Sequence, residues 1–275
     1  MVILRMKRFF IFLTLLVSVS ALIFSGSKII EWLNDSKKTD EEIKKIQKLT
    51  QITEIDDSNK TELVNQAATT SIGDPYWNYV KMNLINVDIN KLREVNGDTV
   101  GWIKVNGTNI NYPFVQSKDN NYYLFHSFNK SFNYAGWVFL DYRNDINNLG
   151  RNTVIYAHGR TDKTMFGSLS NTLSNKWLND SSNHVVRLST DSENSLWQIF
   201  SVYNIPTTND YITTGFSDDN SFEDFINLIV GRSIYNFDTH PNVNDKILTL
   251  STCLNSTDKI VVHAKLIKKE KRCCF

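Results

Sequence analysis

"KILTLSTC", residues 246–253, is followed after a short polar gap by "KIVVHAKLI", residues 259–267. Both runs alternate apolar with polar residues, are rich in Leu, Ile, Val and Thr, and contain neither Gly nor Pro. That pattern is a strand signal, and the first strand ends on a thiol. Six upstream stretches carry the same signal between Asn, Gly and Asp turns: "TVGWIKV" (99–105), "TNINYPF" (108–114), "GWVFLDY" (136–142), "NTVIYAH" (152–158), "HVVRLST" (184–190) and "LWQIFSVY" (196–203). Asn106–Gly107 between the first two is a hairpin signal. Helices are expected at "TMFGSLSNTL" (164–173) and "SFEDFINLIVGRS" (221–233), and another ending near Asn96–Gly97, with Gly97 in the left-handed position. Eight strands without a parallel βαβ rhythm predict a mainly β domain, a closed barrel with helical insertions.

The remaining chain frames this body. Arg5, Lys7 and Arg8 precede the uncharged run "FFIFLTLLVSVSALIF", Phe9–Phe24. A basic flank before an apolar run sets the N-terminus inside and the rest outside. "VSA" (Val19–Ala21) offers a signal-peptide cleavage site, but apolar residues continue to Phe24, so residues 1–27 are read as an uncleaved anchor. The run is short of the roughly 20 residues a spanning helix needs, and Ser25–Ser27 can extend it. Next come "KTDEEIKKIQKLTQITEI", a charged helix with Glu41 and Lys45 at i,i+4 read as a solvated spacer, and a polar linker over 56–74. The spacer and linker together occupy 28–75, the folded body 76–268 and a basic, frayed tail 269–275.

The net charge of +1 among 275 residues gives no electrostatic case for nucleic acid. There is no phosphate-binding Gly loop and no Cys/His spacing for zinc, so neither metal nor cofactor is expected. Of the three cysteines, the adjacent Cys273 and Cys274 sit in the tail "KKEKRCCF" and are poorly placed to bridge each other. A bridge from the tail to Cys253 stays open, but three cysteines do not make a disulfide framework, and Cys253 is a candidate reactive thiol. A thiol attacks as thiolate and needs a basic or cationic neighbour. Of the five histidines, His158 ends a strand beside a Gly, where it can meet the cysteine strand at one rim of a barrel. His126 lies among aromatics, His263 alternates inside a strand, and His184 and His240 fall at a strand start or loop, where packing is the default role.

"ILTLSTC" with "KIVVHAKLI", together with "GWIKVNGTNINYPFVQSKDNNYYLFHSF", "AGWVFLDYRN" and "NTVIYAHGRTDKTMFGSL", resembles the class B sortases, cysteine transpeptidases of the Gram-positive cell surface. The resemblance runs from about Gly101 to Ile267. It implies an eight-stranded sortase-like β-barrel with an N-terminal helix and inserted helices. It makes Cys253 the nucleophile and His158 the acid/base, and puts Ser251 and Thr252 along the substrate groove. Where the family has an arginine just before the last strand this chain has Lys259, a single flexible charge in place of a planar fork. Ala157 and Gly159, flanking the histidine, also depart from the family's usual Gly and Asn. Arg160 is an alternative cation, read as a solvated loop residue.

The implied reaction cleaves an Asn-Pro-x-Thr-like sorting signal of exported proteins after Thr, through a Cys thioester, and passes the acyl group to a cell-wall peptide amine. The partners implied are those exported proteins, the wall precursor amine and the membrane, with the catalytic domain extracellular. Two rivals use the same residues: a cysteine peptidase transferring to water, and a weakened barrel that binds peptides without turnover. A third is a β domain whose thiol only packs.

Overall fold

The computed structural model describes residues 2–56, 61–64, 75–253 and 258–272. The tail cysteines and most of the expected linker lie outside them. One helix, α1 (Val2–Leu49), carries both the apolar run and the charged segment. It is long and apolar enough to cross a membrane, with a mean hydropathy of 2.3 over its most apolar window.

The strands are β1 (Thr53–Ile55), β2 (Thr61–Leu63), β3 (Leu84–Asn86), β4 (Thr99–Val105), β5 (Asn111–Val115), β6 (Phe139–Leu140), β7 (Asn152–His158), β8 (Val185–Thr190), β9 (Glu193–Pro206), β10 (Ile247–Cys253) and β11 (Asp258–Lys271). The sheet order is β10-β7-β6-β5-β4-β8-β9-β11-β2, and β10 also pairs with β11. That last pairing closes eight strands into a barrel, and β2 adds to the edge of β11. β1 and β3 form a separate two-stranded ladder.

Each of the eight expected strands is present, because each buries one row of alternating residues in a common core. Trp102, Phe114, Phe139, Ile155, Trp197, Leu248 and Val262 fill the barrel. A second apolar layer lies between the barrel wall and the helix Asp219–Gly231, where Phe222, Phe225 and Ile229 pack on Phe200, Tyr203 and Val261. Fully burying a side chain such as Phe222 is worth about 1.5–3 kcal/mol. The helix starts at Asp218, whose carboxylate accepts from Ser221 N at 2.7 Å while Ser221 Oγ accepts from Asp218 N at 3.3 Å, a reciprocal cap.

Several local expectations are corrected. The helix before β4 is Ile89–Arg93, with Asp88 as its N-cap. Gly97 is not left-handed; positive φ among the glycines falls at Gly107 and Gly136. Residues 164–173 hold a 3₁₀ segment, Gly167–Leu173, in place of an α-helix. Gly, Ser, Asn and Thr are weak helix formers, and a Cβ on Gly167 would stand 2.0 Å from Arg160 O, so the turn is set by close packing. The tail to Arg272 is not frayed: β11 continues to Lys271 against Glu193, and the Arg272 guanidinium donates to Val87 O and Thr190 O.

The charged part of α1 does not stand clear as a spacer. Asp35, Thr39 and Ile46 are buried on one stripe against the body. Thr39 Oγ1 accepts from Asn133, Asp35 accepts from Tyr134 N, and Glu42 accepts from Asn129 N at 2.7 Å. β1 and β2, from the stretch expected as spacer and linker, join the body's sheets.

Candidate active site

The site follows from strand register. β10 runs parallel to β7 with Cys253 opposite His158, and antiparallel to β11 with Ser251 opposite Val261. The β10–β11 ladder ends at the Ser251–Val261 pair, and Lys259 lies two residues before Val261 at the start of β11. Thr252 Oγ1 accepting from Ile260 N at 3.0 Å shows the two strands still adjacent there. Laterally paired positions share one face of a sheet, with strands about 4.8 Å apart. His158 and Cys253 therefore form a lateral row across β7 and β10, and Lys259, at the start of β11, lies near its end.

His158 is buried, and its ring is held by the Leu124 carbonyl, 2.8 Å from Nε2. A carbonyl only accepts, so Nε2 carries a proton in either charge state. Nδ1 is then the atom that exchanges protons, and the tautomer is fixed by this contact. The Leu124 carbonyl is in turn placed by Gly136. Gly136 has φ +59°, and a Cβ there would meet Tyr123 O at 2.5 Å, Leu124 O at 2.8 Å and His158 Cδ2 at 3.1 Å. Gly136→Ala is expected to destabilise the fold by more than about 1 kcal/mol, and to lower kcat beyond that loss by shifting the carbonyl that orients the ring. Chemical denaturation and steady-state kinetics on the same variant check both.

Lys259 is only 4% exposed, and lysines are seldom so buried. Its backbone pairs with Ile205 of β9. Arg160 is not the solvated loop residue expected. Its guanidinium bonds Asp162 at 2.7 Å and Ser36 of α1 at 2.6 Å, and lies 5.7 Å from the Trp32 ring centre. Burial pushes the Asp162 carboxyl up, but bonds from Arg160 and Thr164 outweigh it and hold the pKa at about 2. The Asp162 carboxylate therefore stays ionised at neutral pH and matches the Arg160 charge.

Ser251 and Thr252 differ in what they face. The Ser251 hydroxyl is 2% exposed and 3.0 Å from Tyr211 OH. Thr252 lines a cleft of about 330 Å³ beside the row, with Gly159, Phe166, Leu173 and Ile260 as apolar walls and Lys163, Asn204 and Asp258 among its polar groups. The other histidines stand elsewhere. His263 is buried between Tyr203 OH and Thr249 Oγ1, and burial, helped by the nearby Arg232 charge, drives it down to about 3. His184 bonds Tyr79 and the Leu178 carbonyl, His126 stacks on Tyr122, and His240 is exposed. Among the described residues, no three His, Cys, Asp or Glu side chains cluster as a metal site would require.

Sequence reasoning passed over Gly136, the Leu124 carbonyl and Tyr211. A carbonyl has no sequence signature, and "NYAGW" carries no mark that its glycine is left-handed.

Residues 103–267 match the Sortase domain family. Sortase B of Staphylococcus aureus (strain NCTC 8325 / PS 47) is 31% identical over 268 residues, covering 96% of this chain and 99% of that protein. The Staphylococcus aureus sortase B–substrate complex superposes with a TM-score of 0.62 at 36% identity, covering 66% of this chain and 84% of that one. Bacillus anthracis sortase B in complex with AAEK1 gives 0.67 at 32% identity, covering 87% and 100%. With this barrel, and a thiol position paired with a histidine on the neighbouring strand, the chain belongs to the sortase family, and its likeness there is to sortase B.

Proposed function

We propose that this sortase-family transpeptidase cleaves an Asn-Pro-x-Thr-like sorting signal after Thr and transfers the acyl group to a cell-wall peptide amine. The observation that supports the residue roles is the register that sets Cys253 opposite His158, with Lys259 buried at the start of β11. The Cys253 thiolate attacks the threonine carbonyl carbon. Lys259, with a backbone N–H, stabilises the oxyanion. The C–N bond breaks, the leaving amine takes the proton from His158 Nδ1, and a thioester remains. An incoming amine attacks that thioester, His158 takes its proton, and the thiolate departs. The cleft beside Thr252 receives part of the peptide chain; a relative has been solved as a substrate complex, which supports a peptide substrate. Helix α1 anchors the chain in the cell membrane with its N-terminus cytoplasmic and the barrel outside, as Arg5, Lys7 and Arg8 before the apolar run direct.

The test is product partition. Purified chain is incubated with an Asn-Pro-x-Thr peptide, with and without a glycyl or diamino-acid amine, and products are weighed by mass spectrometry. Ligated product that grows with amine concentration at the expense of free acid is expected. Free acid alone at every amine concentration overturns transfer in favour of hydrolysis, and an intact peptide overturns turnover.

A further inference from the structure

The loop that holds the Leu124 carbonyl also carries an exposed aromatic group that the reaction does not use. Phe125, Phe132 and Tyr134 are 40%, 59% and 49% exposed. The Phe132 and Tyr134 rings are 4.9 Å apart and edge-on, and Phe125 lies 6.4 Å from Tyr134. Large apolar rings clustered at the surface mark an interaction site.

Their height along α1 says what they meet. A hydrocarbon layer of about 30 Å takes about 20 helical residues. Counted from Phe9, where the basic flank ends, the layer closes near Lys28. The Tyr134 backbone N donates to Asp35 at 3.4 Å, seven residues past Lys28. The helix there keeps an apolar exterior past the expected boundary: Ile29, Ile30, Trp32 and Leu33 are all exposed. The rings thus stand at headgroup level beside a helix that is itself apolar outward, where Trp and Tyr concentrate in membrane proteins.

We propose that Phe125, Phe132 and Tyr134, with Trp32, form a second membrane contact that seats the barrel on the lipid surface. The proposal rests on the membrane-anchored reading of α1. The seat fixes the height and tilt of the catalytic row. Trp32 touches Arg160, two residues past His158, and the aromatic loop holds the His158 ring through Leu124. A lipid surface fits better than a protein groove, because the loop carrying these rings packs beside a helix that is itself apolar outward and, on the anchored reading, enters the bilayer.

The full chain is reconstituted into vesicles of phosphatidylcholine and phosphatidylglycerol, with and without lipid brominated near the headgroup. Trp32 in the parent chain, read against Trp32→Phe, reports whether α1 is inserted. Phe132→Trp in a Trp32→Phe background reports the loop; the site is exposed and already aromatic, so the fold is kept. The emission added by Phe132→Trp is expected to fall at least about twofold with brominated lipid, and to resist acrylamide. Quenching of Trp32 with no effect on the introduced indole overturns the second contact and leaves the anchor standing. No quenching at either position overturns both. Quenching of the introduced indole by acrylamide, relieved only by a sorting-signal peptide, assigns the rings to a protein partner and also overturns the proposal. None of these readouts depends on turnover, so they separate this inference from the reaction proposed above.

Discussion

Cys253→Ala is expected to lower kcat/KM on a sorting-signal peptide by more than about 10⁴-fold, the scale on which a covalent nucleophile is missed. His158→Ala should cost a comparable amount, and the double variant hardly more than either single one. Groups that act as one unit lose their joint contribution once, so the free-energy losses do not add. The basis is the pairing of Cys253 with His158 across two parallel strands, with the ring tautomer set by Leu124 O. The thioester, trapped and weighed by mass spectrometry, must disappear with Cys253→Ala and survive a double change of Cys273 and Cys274. Losses that multiply in the double variant mean two independent functions. A thioester that persists in Cys253→Ala places the nucleophile elsewhere.

Lys259 carries the second large effect. Lys259→Ala should lower kcat/KM by about 10²–10³-fold, the range for losing one oxyanion donor. Lys259 is nearly fully buried, so Ala also removes packing. Lys259→Met keeps the length of the stem without the charge, and should lose a similar factor with folding stability retained. Lys259→Arg should keep or raise activity, because a guanidinium offers two parallel donors. Arg160→Ala is the control. The Arg160 charge is matched by Asp162 and Ser36, so that variant should lower thermal stability while sparing more of the rate. A silent Lys259→Met beside a crippled Arg160→Ala would move the cationic role to Arg160.

The barrel was legible because strand alternation survives in single-sequence form. "TVGWIKV" and "NTVIYAH" coincide with β4 and β7 to the residue. β2 was not legible, since "TEL" is three residues long and pairs only with the edge of β11. The docked face of α1 was hidden for a different reason. Its contacts are made by Asp35, Ser36 and Thr39, polar residues whose partners lie about 90 to 130 positions away, and a helix read alone gives them to solvent. In the site, the residue types at strand ends pointed to Cys253 and His158. Their adjacency is a matter of register between segments 95 positions apart, which local pattern cannot supply. Lys259 came from resemblance alone, and only the fold shows it buried at the start of β11, two residues before the last β10–β11 pair.

The seam between β10 and β7 has a consequence for biogenesis. It joins a parallel pair distant in sequence, and such non-local pairing is slow to form because loop-closure entropy must be met first. β10 and β11 are close in sequence and can pair early, but the histidine reaches the thiol position only when the ring of strands shuts. On the reading proposed above, the chain emerges from export with an ordinary cysteine, and acyl transfer becomes possible only with closure of the barrel. On that reading a nascent or misfolded copy holds its thiol without the histidine beside it, and reactivity is withheld until folding is complete.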